Sequence, residues 1–223
     1  MWTALRQWWY QHRVAPSPLA DFLSAPLPSS RSNVRDVEFV VLDLEMTGLH
    51  PHQDQIASVG YVLVQRGRVS VQRAQHHFVQ IDGSVDQSAT LHGIMDTDLR
   101  DAAPLDQVLR ELLGVLAGRV LVLHHAPLDL GFLNAACRQL WGAPLVARVV
   151  DTLALAHHRH HHGTHHEPTD GELRLHALRA QYGLPRYPAH NALSDALATA
   201  ELLLALVAHR AGHEPLPLRA LLR

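Results

Sequence analysis

Between Glu38 and Val79 three apolar, β-rich runs follow one another, and after Pro104 the hydrophobic spacing changes to alternating helix and strand. This switch of period limits the folds open to the chain more than any other feature. The runs are Glu38 to Leu44, Ile56 to Val64 and Val69 to Val79, with Gln65-Arg66-Gly67-Arg68 predicting a hairpin turn between the last two. Leu105, Val108, Leu109, Leu112, Leu113 and Leu116 then carry the 3.6-residue period of a helix over Pro104 to Leu116, closed by Gly118. A strand over Arg119 to His124, a helix over Pro127 to Leu140, a strand over Leu145 to Val150 and helices over Gly171 to Tyr182 and Asn191 to Ala211 complete the pattern. The expected architecture is α/β, a mixed five-stranded sheet flanked by helices.

Residues 1–35 read as an appendage. Trp2, Leu5, Trp8 and Trp9 recur at helical spacing and predict a short amphipathic helix, far too short to span a membrane. Ala15 to Asn33 is rich in Pro and Ser and reads as a linker with one helical turn around Asp21 to Ser24. The main domain is expected over 36–212, with a His-rich insertion at 157–166, and 213–223 as a C-terminal tail. At 223 residues the chain can bury a full core. Its single cysteine, Cys137, excludes an internal disulfide framework. All 19 basic side chains are arginines, yet the formal net charge is −2, which excludes a general basic coat for a phosphate backbone and makes any nucleic-acid contact local. No run of 18 or more apolar residues and no secretory stretch appear, so a soluble, cytoplasmic protein with no membrane association is expected.

Three segments carry acids. In Val40-Val41-Leu42-Asp43-Leu44-Glu45-Met46-Thr47-Gly48 the strand period of two puts Asp43 and Glu45 on one face, where their repulsion is costly unless a cation lies between them. Alternatively Glu45 is a surface residue and Asp43 an end-of-strand acid. In His124-His125-Ala126-Pro127-Leu128-Asp129 a strand runs into a helix begun near Pro127, so Asp129 falls in its first turn, either at the sheet's ligand-gathering edge or compensating the helix dipole. In His190-Asn191-Ala192-Leu193-Ser194-Asp195 the acid lies early in a long helix, and His190 precedes it in a loop, free to reach a site or simply solvated.

Together the segments resemble the DEDD exonucleases of the histidine subtype, the family of the proofreading epsilon subunit of bacterial DNA polymerase III. Asp43 to Gly48 matches Asp-x-Glu-x-Thr-Gly, His124 to Asp129 the second motif, and His190 to Asp195 the pattern His-x-Ala-x-x-Asp; the likeness spans Val37 to Val207. Met46, His125 and Leu128 depart from a common threonine, asparagine and phenylalanine. The resemblance implies a ribonuclease H-like fold and 3′–5′ exonuclease activity through two Mg²⁺ or Mn²⁺ ions. It implies Asp43, Glu45, Asp129 and Asp195 as metal ligands, with Asp43 bridging, and His190 as general base. It further implies Met46, Thr47, Leu91, His92, Ile94 and His125 as substrate contacts. The expected partner is a single-stranded or frayed 3′ end, DNA favoured over RNA, with a protein partner for the N-terminal tryptophans. The rival readings are an RNA-trimming exonuclease, a non-catalytic binding module on the same fold, and a metal-binding protein acting through the histidines of 157–166.

Overall fold

The computed structural model describes residues 2–83, 94–163, 171–188, 190–212 and 214–222. Five strands form one sheet in the order β3-β2-β1-β4-β5, with β1 Phe39–Met46, β2 Ile56–Gln65, β3 Arg68–Phe78, β4 Val120–Leu123 and β5 Val149–Asp151. The first three are antiparallel, and β1, β4 and β5 run parallel. Arg66 and Gly67 both have positive φ (53° and 69°), the two-residue turn whose twist suits a hairpin. Eight helices are described: α1 Trp2–Gln11, α2 Pro18–Ser24, α3 Asp96–Arg100, α4 Leu105–Leu116, α5 Ala126–Trp141, α6 Thr152–Gly163, α7 Leu175–Gln181 and α8 Ala192–Ala211.

The alternation of β1 sorts the core into two layers. Val40, Leu42 and Leu44 face one side, where Leu121 and Leu123 join side chains of α2, α4 and α5. Phe39 and Val41 face the other, with Val120, Val122 and residues of α6, α7 and α8. Asp43 and Glu45 project on this second side, toward α8.

Several elements depart from the sequence expectation. The linker holds a two-turn helix: the Ser17 side chain accepts from the Ala20 amide, Pro18 opens α2, and Leu19, Phe22 and Leu23 are buried in the first layer. At roughly 1.5–3 kcal/mol per buried side chain, these three make α2 part of the domain. The tail is likewise tied in, since Leu218 and Leu221 are buried and the Leu218 amide donates to the Ser32 carbonyl. The fifth strand pairs only over Val149–Asp151; Leu145 and Val146 are buried without joining the sheet. The histidine run begins inside a helix, α6, which starts where Asp151 accepts from the Leu153 and Ala154 amides; residues 164–166 lie outside the described residues. Helix α8 is long and apolar enough by composition to cross a membrane, but eight of its residues are buried against the sheet and α7. The N-terminal helix forms as expected, but with Gln7 buried and its tryptophans turned outward.

Candidate active site

Glycine sets the geometry. Gly60 pairs with Asp43 across β1 and β2, and a Cβ there would lie 2.2 Å from backbone atoms of Ala192 and Leu193. Its absence lets the first turn of α8 rest on β2, which brings Asp195 onto the Asp43–Glu45 face. One carboxylate oxygen from each of Asp43, Glu45 and Asp195 lies within 4.8 Å of the others. Asp129, in the first turn of α5, is 5% exposed and stands close enough to raise the Asp43 pKa. It is not among the three that converge on one point.

The electrostatics are those of crowded, desolvated acids. Burial first, then Asp129, Asp195 and Glu45, hold Asp43 well above the usual carboxylate range. Burial, then Asp195 and Asp129, push Glu45 up to about 7. Burial raises Asp129 to about 7 although backbone amides at Asp129 and Leu44 oppose it. Asp195 is raised by burial against the pull of His190, whose amide donates to its Oδ2 at 2.8 Å. A fold that gathers like charges this way leaves a place where a divalent cation would relieve them.

A cavity of about 610 Å³ opens from Asp43 and Asp195, with His125, His190, Arg174 and Arg186 among its walls. His125 and His190 both adopt left-handed backbone, at φ of 69° and 66°. Two residues that sequence reading left without a role hold these histidines. Asp151, the last residue of β5, accepts from the His125 and Ala126 amides at 3.1 and 3.0 Å as well as capping α6. Arg179 is buried and donates to the carbonyls of Ala198 and Pro185 and to Glu201, at 2.6, 2.7 and 2.7 Å. Glu201 also accepts from the Tyr187 hydroxyl, and the guanidinium lies 4.7 Å from the Tyr187 ring centre. The segment leading to His190 is thereby strapped to α8. His124 is pinned between Thr152 and the Leu173 carbonyl, and burial drives it down to about 4, leaving it neutral.

The expected substrate contacts are spread more widely. Met46 packs on the first core layer, and the Thr47 hydroxyl accepts from the Gln55 amide at 2.9 Å to close the β1–β2 turn. Ile94 is buried against Ala57 and Leu99. Leu91 and His92 lie outside the described residues. Of this set His125 lines the cavity.

Comparison with known proteins follows the same outline. A family model described as Exonuclease matches residues 40–203. DNA polymerase III subunit epsilon of Treponema pallidum is 32% identical over 180 residues, covering 79% of this chain and 81% of that protein. The PolC-type DNA polymerase III of Thermotoga maritima is 31% identical over 183 residues, covering 80% of this chain but 12% of the polymerase. Among solved structures, E. coli exonuclease I in complex with a dT13 oligonucleotide superposes with a TM-score of 0.65 at 17% identity, covering 79% of this chain and 42% of that one. A 3′-exonuclease recognising a histone mRNA stem-loop gives a TM-score of 0.65 at 15% identity, covering 80% and 67%. At such identities these two structures speak for the fold alone.

Proposed function

The chain belongs to the Exonuclease family, and from that premise we propose that it removes nucleotides from the 3′ end of DNA in a reaction that needs divalent metal. The observation that carries this reading is the convergence of Asp43, Glu45 and Asp195 with Asp129 beside them and His190 at the rim. Hard oxygen donors of this kind suit Mg²⁺ or Mn²⁺. When bound, such ions would polarise the phosphoryl oxygens, lower the pKa of a bound water and stabilise the leaving 3′-oxygen.

In this reading Asp43, Glu45 and Asp195 would hold the metal, with Asp129 beside them in support. His190 takes the proton from the attacking water, while the link from its own amide to Asp195 keeps the loop in register with the acids. A cavity of about 610 Å³ is closer in size to one nucleotide than to a duplex, which supports single-stranded and frayed ends as the substrates. The epsilon and PolC-type relatives favour DNA, in proofreading, repair or end trimming.

The test is a product ladder from 5′-labelled single-stranded DNA, frayed duplex and matching RNA, with Mg²⁺ and with EDTA. Stepwise shortening from the 3′ end, faster on DNA and absent in EDTA, is expected. Faster RNA trimming would give the RNA reading the place of the DNA one, and full activity in EDTA would end the two-metal reading.

A further inference from the structure

The N-terminal helix is amphipathic in the reverse of the usual sense. Gln7 is 5% exposed and its side chain donates to the Val146 carbonyl at 2.9 Å, while Tyr10 and Val14, on the same face, pack on the first core layer. Trp2, Leu5, Trp8 and Trp9 point the other way, 81, 59, 58 and 43% exposed. A soluble domain rarely leaves three tryptophans in contiguous exposure without something to cover them. Arg6 and Arg13 flank the stripe, and the Arg13 guanidinium lies 3.9 Å over the Trp9 ring. No acid occurs before Asp21, although the whole chain carries a net −2.

We propose that α1 lies on an anionic lipid bilayer, with its tryptophan stripe in the headgroup boundary and Arg6 and Arg13 against the lipid phosphates. Tryptophan is the side chain best matched to that boundary, where its ring is apolar and its N–H stays wet. Gln7 holds the helix along the domain surface, so the stripe lies flat, the shape a membrane plane accepts. A second copy of the chain fits less well, because stripe-on-stripe packing brings arginines together with no acid on either helix to meet them. A nucleic-acid strand fits less well too. The Val146 carbonyl that anchors α1 precedes β5, whereas the acid cluster stands toward the carboxyl ends of the parallel strands. The proposal departs from the sequence expectation of no membrane, which rested on length: a ten-residue helix cannot span a bilayer, but lying on one takes only an apolar stripe and a basic flank.

The experiment is co-sedimentation of the full chain with vesicles of phosphatidylcholine alone and of equal parts phosphatidylcholine and phosphatidylglycerol. Three of the four tryptophans lie on α1, so intrinsic emission reports the same event. Binding to the anionic vesicles with a blue shift is expected, with little binding to the neutral ones. Trp2→Ser with Trp8→Ser should abolish it, and Arg6→Glu with Arg13→Glu should weaken it by roughly tenfold or more. Both variants should keep the wild-type melting curve and their activity on short oligonucleotides in solution. Failure to bind anionic vesicles, equal binding to neutral ones, or binding that survives loss of the tryptophans would overturn the proposal. So would a stripe-dependent dimer in sedimentation velocity, which would assign the face to a second copy.

Discussion

Asp43 and Glu45 stand on a strand that is buried along most of its length, and Asp129 and Asp195 stand in the first turns of core helices. His190 stands at the end of a segment without helix or strand from Leu184 to Pro188, exposed and in left-handed backbone. Repelling carboxylates separate unless something rigid holds them, and here the two-layer core opposes the repulsion. A base that moves a proton needs reach more than rigidity, and its segment is held at a few points by Arg179, Tyr187 and the Asp195 carboxylate. On the proposed function the core would gather the charge and the strap would handle the proton, so substitutions on each side should behave differently.

The largest effect is expected from Asp43→Asn. It removes the acid that faces all the others, and activity should fall by roughly 10³-fold or more as the stabilisation of phosphoryl charge is lost. The melting temperature in EDTA should rise, because the variant also removes the centre of the repulsion. A variant that keeps its activity, or one that is both inactive and less stable, would break the assignment of charge gathering to the core.

On the strap side, His190→Ala should lower kcat by roughly 10²- to 10⁴-fold with an unchanged Mg²⁺ requirement and an unchanged melting temperature. If the Mg²⁺ requirement rises sharply instead, His190 is supporting the acids and the division between the two regions fails.

Arg179→Ala sharpens the same boundary. Removing a buried guanidinium strands Glu201 and two carbonyls, so stability should drop by about 3 kcal/mol, and kcat should fall roughly 10- to 100-fold as the strap loosens. Arg179→Lys, which keeps the charge without the fork, should lie between. If Arg179 acts through His190, the double variant is no slower than His190→Ala alone; additive losses would show that it acts elsewhere.

The two regions also differ in how far they were legible. The acids stood out because each rests on local spacing, a separation of two on a strand or a place in a helix's first turn, although spacing alone left each reading open and the family resemblance joined them into one site. The strap was not, since Arg179 meets Glu201 across a separation of 22 residues and nothing local marks either. Gly60 was silent for the same reason, its meaning lying in the approach of Ala192. The linker and the tail misled because Pro-rich composition describes backbone stiffness, not burial; Leu19, Phe22, Leu218 and Leu221 find their partners only in three dimensions. In α1 the periodicity revealed a stripe but not its direction, which Gln7 decides by bonding to a carbonyl 139 residues away.

The smallest effect is thermal, and it isolates the acids from the strap. Glu45 and Asp129 are both pushed up to about 7 in the folded chain, from ordinary values of 4.5 and 3.8. Between those limits the folded, metal-free protein holds protons that the unfolded chain has released, so stability must fall as pH rises. The contribution is fully present below the unfolded values and is lost once pH passes about 7. In EDTA the melting temperature should therefore drop by roughly 5–10 °C between about pH 5 and pH 8. Mg²⁺ should restore much of it at the upper end, because an ion that binds the folded acids and not the unfolded chain stabilises by mass action. The slope is read as a difference between variants. Glu45→Gln with Asp129→Asn should flatten it, and His190→Ala should leave it as it is. A slope that survives the double acid variant, or disappears with His190, would mean that the strap and not the core carries the site's charge.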